Sequence, residues 1–192
     1  DVLLTKNALY VTDSVNPTLF KIPLDDNGAR VGDWETIELT GFEMNREGVG
    51  FNANGLVSGD FDGNELVVVN VASGVLYHVD TTSGASTPIT IHGEEKLFVN
   101  GDGLYMNGRM LYVMQNFQNK IAVVQLSEDL REGTFMKNIT SDLFSVPTTI
   151  RGYDNSIYAI NTHFCEITPL CGADPETLDP LTVHTEVVRV DA

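Results

Sequence analysis

Four short apolar runs recur along the chain, and each ends on a polar residue. They are Leu9-Tyr10-Val11-Thr12-Asp13, Leu66-Val67-Val68-Val69-Asn70, Leu111-Tyr112-Val113-Met114-Gln115 and Ile157-Tyr158-Ala159-Ile160-Asn161. Their starts lie 57, 45 and 46 residues apart. The runs are short, rich in β-branched and aromatic residues and nearly continuous in hydrophobicity. That is the pattern of strands buried on both faces. Helical periodicity is almost absent.

The flanks repeat as well. A turn of Gly, Asn or Asp, residues that tolerate positive φ, precedes each run: Lys6-Asn7, Asp62-Gly63-Asn64, Asn107-Gly108 and Asp154-Asn155. A short strand stands before each turn. After the first three runs a third strand is predicted at Thr18–Pro23, Val75–Asp80 and Lys120–Leu126, then a fourth at Trp34–Leu39, Thr87–Ile91 and Gly133–Ile139. Four antiparallel strands in about 45 residues make one blade of a β-propeller. A β-sandwich with accidental spacing is the competing architecture. The expected fold is all-β, a single propeller portion with blades at roughly 1–48, 49–97, 98–144 and 145–192. The longer first spacing is a connection, Thr40 to Phe51. The fourth blade departs from the pattern: a long segment, Cys165 to Val183, leads to a last strand, His184–Val190, and no fourth strand follows. Asp1 opens the chain without Met or a leader, so it reads as a processed or partial propeller. The missing blades are expected from another polypeptide segment.

Charge changes the picture of partners. The chain carries 11 Lys+Arg against 27 Asp+Glu, a net charge of −16. That balance argues against nucleic acid and anionic membranes as partners, and no apolar run is long enough to span a bilayer. It suits an extracellular protein or one that binds cations, although acidity also simply confers solubility. Cys165 and Cys171 are the two cysteines. They read as a loop disulfide or as two free thiols, and a disulfide would mean an oxidising compartment. Asn138-Ile139-Thr140 is an N-glycosylation sequon, which agrees with secretion.

The innermost strand of each blade lines the channel, so its first residues sit at the channel mouth. Counting back from the apolar runs places Asn52-Ala53-Asn54-Gly55-Leu56, Asn100-Gly101-Asp102-Gly103-Leu104 and Pro147-Thr148-Thr149-Ile150 at equivalent positions. Asn54 and Asp102 therefore bring oxygen-bearing side chains to adjacent blades. Such oxygens suit a hard divalent cation. The plainer alternative is that Asn-Gly and Asp-Gly only turn the chain into the strand. Asn100, Thr148 and His163 are weaker candidates for contacting a substrate at the same mouth.

Asn54-Gly55-Leu56 and Asp102-Gly103-Leu104, with the blade-like stretches LYVTDS, NELVVVNVASGVLYHVDTTSG and GRMLYVMQNFQNKIAVVQL, resemble the gluconolactonase, regucalcin (senescence marker protein) and luciferin-regenerating-enzyme family. The resemblance implies a six-bladed propeller with one divalent ion, often Ca²⁺, at the channel mouth, and hydrolysis of lactones or related esters. By motif match Asn54 and Asp102 are metal ligands, and Asp102 also serves as base or orients the water. The family's third ligand, a Glu, and an auxiliary Asn would fall before Asp1, so the motif site is incomplete in this chain.

Other motifs add little. Asp60, Asp62 and Asn64 look like part of a calcium loop but lack the bidentate Glu at its end. No Gly-x-Ser-x-Gly and no phosphate-binding glycine loop occur. The Cys165–Cys171 segment reads equally as a lid and as a decorated surface loop. Taken together, a secreted metal-binding propeller with lactone or ester hydrolysis is expected. A non-catalytic module that binds a protein partner is the alternative.

Overall fold

The computed structural model describes residues 1–45, 51–60, 62–167, 174 and 184–192. The described chain is almost wholly β, in four sheets. The first is β1 (Val2–Leu4), β2 (Ala8–Asp13), β3 (Thr18–Pro23) and β4 (Glu35–Glu38), each paired antiparallel with the next. The second repeats the order with β5 (Ala53–Ser58), β6 (Glu65–Asn70), β7 (Leu76–Asp80) and β8 (Ser86–Pro88). The third holds β10 (Gly101–Asn107), β11 (Met110–Gln115), β12 (Lys120–Leu126) and β13 (Glu132–Thr140), with β9 (Thr90–His92) added at its outer edge. The fourth has β14 (Pro147–Tyr153), β15 (Ser156–Asn161) and β16 (Glu186–Asp191), with no fourth strand among the described residues. These are four blades of a β-propeller. A short 3₁₀ turn at Asn116–Gln118 and one helical turn, α1 (Phe164–Ile167), follow β11 and β15.

The apolar runs are continuous because each inner blade is covered on both sides. Leu66 and Val68 of β6 pack with Ala8, Tyr10 and Leu19 of the first blade, while Val67 and Val69 pack with Leu111 and Val113 of the third. On β11, Tyr112 and Met114 turn the other way, toward Ile150, Ile157 and Ala159 of the fourth. Period-two alternation sends successive side chains to opposite blades, and each fully buried Val or Leu contributes about 1.5–3 kcal/mol. The end blades are covered on one side only. On β2, Ala8 and Tyr10 are buried but Leu9 and Val11 are only partly so. Val2, Leu4 and Trp34 at one end, and Tyr153 and Val187 at the other, are exposed.

One predicted strand divides. The expected element Thr87–Ile91 is two: β8 pairs with β7, and β9 crosses to run parallel to β13 of the next blade. Thr40 does the same on a smaller scale, bridging in parallel to Ala85. A connection leaving one blade thus covers the outer edge of the next, which protects strand edges from foreign pairing. Residues 46–50 of the long first connection, and most of the segment between Cys165 and Val183, lie outside the described residues.

In the second, third and fourth blades the polar residue that ends the run ties down the connection entering its own blade, whereas Asp13 of the first accepts from the Val15 and Asn16 N–H groups of the turn after it. Asn70 donates from Nδ2 to the Glu43 carbonyl at 2.8 Å and accepts from the N–H groups of Ala72 and Ser73 at 3.0 and 3.1 Å. Gln115 donates to the Val99 carbonyl at 3.0 Å. Asn161 donates to the Leu143 carbonyl at 2.9 Å and accepts from the Ser145 N–H at 2.6 Å. Asn70 and Asn161 are essentially inaccessible. Truncating Asn70 to Ala strands three backbone groups, and denaturant unfolding is expected to show a loss of about 2–3 kcal/mol. A loss below about 0.5 kcal/mol would mean that water replaces the amide there.

Candidate functional site

All three described inner strands of the second, third and fourth blades begin with the same irregularity. The register slips between Ala53 and Leu56, between Gly101 and Leu104, and between Pro147 and Ile150. Each slip inserts one extra residue opposite the neighbouring strand. Such a bulge re-aims a side chain. The residues it presents are Asn54, Asp102 and Thr148, and all three face one cavity of about 570 Å³ at the channel mouth.

The glycine that follows is a packing requirement. Neither Gly55 nor Gly103 has a positive φ, so the turn alternative for Asn-Gly and Asp-Gly does not hold. A Cβ on Gly55 would collide with the Asp102 carbonyl oxygen, and one on Gly103 would lie 2.6 Å from Thr149 Cα. The bulge of each blade is seated on the glycine of the blade before it, which fixes Asp102 relative to Asn54. The other side of the Asn54 bulge is also held: Thr12 Oγ1 donates to the Asn54 carbonyl at 3.0 Å and Ser14 Oγ to the Ala53 carbonyl at 2.8 Å.

Asp102 is the one carboxylate among the described residues lining the cavity. Burial raises its pKa to about 6, against the hydrogen bond from Asn116, the nearby Asp1 ammonium and the hydrogen bond from Asn54, which favour the charged form. Asn116 donates Nδ2 to Asp102 Oδ2 at 3.2 Å and accepts the Phe117 N–H on its own oxygen at 2.8 Å. The remaining polar groups at the wall are Ser14 and Asn100. The apolar wall is Phe51, Val71, Ala72, Phe117 and Phe164, with Phe117 and Phe164 meeting edge to face at 6.5 Å.

The cavity thus unites Asn54, Asp102, Asn100 and Thr148. His163 does not line it; its Nε2 lies 3.7 Å from Glu186 Oε2 at the end of β15. Asn116 and Ser14 were not foreseen. Each directly follows the polar end of an apolar run, so the repeat register could have pointed to them. Asp60 accepts from the Gly63 and Asn64 N–H groups at 2.6 and 3.0 Å, so that acidic stretch builds a hairpin turn. No group of three or more His, Cys, Asp or Glu side chains suited to a metal occurs among the described residues. Cys171 lies outside the described residues, and the Cys165–Cys171 pairing with it.

No protein-family model and no curated protein sequence matches this chain. Solved structures do. The chain resembles a "putative 6-phosphogluconolactonase" from Bacteroides fragilis, at 16% identity and TM-score 0.55 over 80% of this chain and 41% of that one. Another so described, from Bacteroides uniformis, matches at 11% identity and TM-score 0.58 over 100% of this chain and 56% of that one. The likeness is to the β-propeller fold of these proteins. A glutaminyl cyclase from Myxococcus xanthus matches too, at 17% identity and TM-score 0.51 over 84% and 60%. At such identities the likeness is one of fold, and fold alone does not carry function. The chain spans about half the length of the solved structures it matches first, 41%, 47% and 45% of them.

Proposed function

We infer that this propeller hydrolyses a lactone or related ester at the channel mouth, in the manner of the gluconolactonase and regucalcin family, with Asp102 as the reacting carboxylate. The observation that carries the reading is the desolvated Asp102, held by two amides on a wall that three adjacent blades build in register. A carboxylate with pKa about 6 is tuned to exchange a proton near neutral pH. Asp102 would take the proton from an attacking water. Asn54 and Asn116 hold its oxygens in place, and Ser14, Asn100 and Thr148 offer hydrogen bonds to the substrate's polar edge.

The donor chemistry also fits a hard divalent cation such as Ca²⁺, since every polar lining group is an oxygen-bearing hydroxyl, amide or carboxylate. Asp102 and Asn54 would hold it, with water or a further blade completing the set. The ion would supply Lewis-acid polarisation of the scissile carbonyl. Lactone turnover is expected to fall with a chelator and return with added Ca²⁺, and Asp102→Ala is expected to remove tight Ca²⁺ binding by calorimetry. Binding unchanged in that variant would remove Asp102 from the ligand set.

The exposed apolar ends of the first and fourth blades support partner blades from further polypeptide. The acidic composition, the cysteine pair and the sequon support secretion, with Asn138 exposed on β13 as a glycan acceptor. A non-catalytic role is the second reading, favoured by the range of proteins that share this fold. It predicts ligand or protein binding at the mouth with no turnover of any lactone.

A further inference from the structure

The Asp102 cavity has a selective wall. Phe51 and Phe117 are 48% and 41% exposed, much open area for phenylalanines. With Phe164 they line the same cavity as Asp102. They come from three separate places: the entry to β5, the 3₁₀ turn after β11, and α1 after β15. Among the described residues lining the cavity there is no Lys, Arg or His. The charged side chain among the described lining residues is the Asp102 carboxylate, which the Asp1 ammonium partly offsets, in a chain whose net charge is −16. A phosphorylated or carboxylated substrate would meet the Asp102 carboxylate and no basic side chain among the described lining residues. The hydroxyl and amide groups of the lining can serve a substrate's polar end, but hydroxyls of a polyhydroxy sugar lactone set against Phe51, Phe117 and Phe164 would go without partners, a costly burial.

We propose that the mouth selects an uncharged lactone or ester carrying an aryl group, its ring among Phe51, Phe117 and Phe164 and its carbonyl toward Asp102. Aromatic pairs at such edges favour an edge-to-face or offset partner. Phe117 and Phe164 already show an interplanar angle of 72°. The lining offers oxygen-bearing groups (Ser14, Asn54, Asn100, Asp102, Asn116 and Thr148) together with three phenyl rings, which matches a substrate with one polar and one aromatic end. For turnover this substrate class rests on the hydrolytic reading above, but for binding it does not.

Two measurements separate the two. Dihydrocoumarin and D-glucono-δ-lactone would be assayed as substrates. The lactam analogue of dihydrocoumarin, which resists hydrolysis, would be titrated by calorimetry. The lactam is expected to bind, and Phe117→Ala to weaken it about 5–10-fold, in keeping with one lost aromatic contact. Phe117 is solvent-exposed, so its truncation opens no core; Phe164→Ala is the second variant and should weaken binding similarly. Dihydrocoumarin should exceed gluconolactone in kcat/KM by at least about tenfold. Lactam binding without turnover would overturn the hydrolytic reading and leave the ligand class standing. Better turnover of gluconolactone, unaffected by Phe117→Ala, would overturn the ligand class and leave hydrolysis standing. No lactam binding, or binding that neither Phe variant weakens, overturns the proposal outright.

Discussion

Asp102→Asn is expected to cost at least about 100-fold in lactone turnover while making the metal-free protein more stable at neutral pH. The first effect follows from removing the one carboxylate among the described residues lining the cavity, whose pKa near neutrality lets it accept a water proton. The second follows from linkage. Burial raises the Asp102 pKa from 3.8 to about 6, so the folded state holds a proton that the unfolded chain would release between those values. The contribution of Asp102 to stability is therefore favourable below pH 3.8 and is lost as pH rises through about 6. At pH 7.5 the desolvated carboxylate costs up to about 3 kcal/mol, which Asn would not. Thermal unfolding after chelator treatment should show the variant melting higher than wild type at pH 7.5 and equal to it at pH 4. Equal melting at both pH values would mean that Asp102 is solvated and not poised as proposed. A stability gain paired with a loss of activity marks a residue kept for chemistry. Cation binding opposes the same penalty, so added Ca²⁺ should stabilise wild type and leave the variant unmoved.

Gly55→Ala is expected to be the most disruptive single methyl on the channel. Its Cβ would run into the Asp102 carbonyl oxygen, with the Asp102 carbonyl carbon 3.0 Å away. That neighbour is backbone, held in a bulge, and cannot swing aside as a side chain would. Forcing such overlap costs about 3 kcal/mol, or about 6–12 °C in melting temperature for a chain of this size. The displaced Asp102 should lose activity beyond what stability alone explains. Gly28→Ala is the control: Gly28 has φ +77° and nothing within 4 Å of its Cβ. It should cost only the backbone strain of a left-handed alanine, about 1 kcal/mol. If Gly55→Ala behaved like Gly28→Ala, the close approach of blades at the bulge would be refuted.

The blade repeat was legible because burial on two faces writes itself into the chain as unbroken apolar runs, and turns write themselves as Gly, Asn and Asp. Strands Thr18–Pro23 and Lys120–Leu126 fall where the pattern places them. The repeat register also singled out Asn54, Asp102 and Thr148, since equivalent positions in successive blades must converge on one axis. Local sequence misled where a tertiary neighbour competes. Thr87–Ile91 reads as one strand, yet the edge of β13 captures Thr90–His92. Asn-Gly and Asp-Gly read as turns, yet the glycines serve a close contact between blades that no local pattern records. His163 lies two residues past the end of its apolar run, where the chain has already turned at φ +50°, and it does not line the cavity.

Sequence by itself determined the fold class, the blade register and the carboxylate at the mouth, all of which follow from periodicity and spacing. Tertiary structure alone decided what surrounds that carboxylate. Burial sets the proton affinity of Asp102, and Phe51, Phe117 and Phe164 meet there from three connections between strands that carry no aromatic repeat. Those properties arise from groups distant in the chain meeting in space, and periodicity carries no information about them.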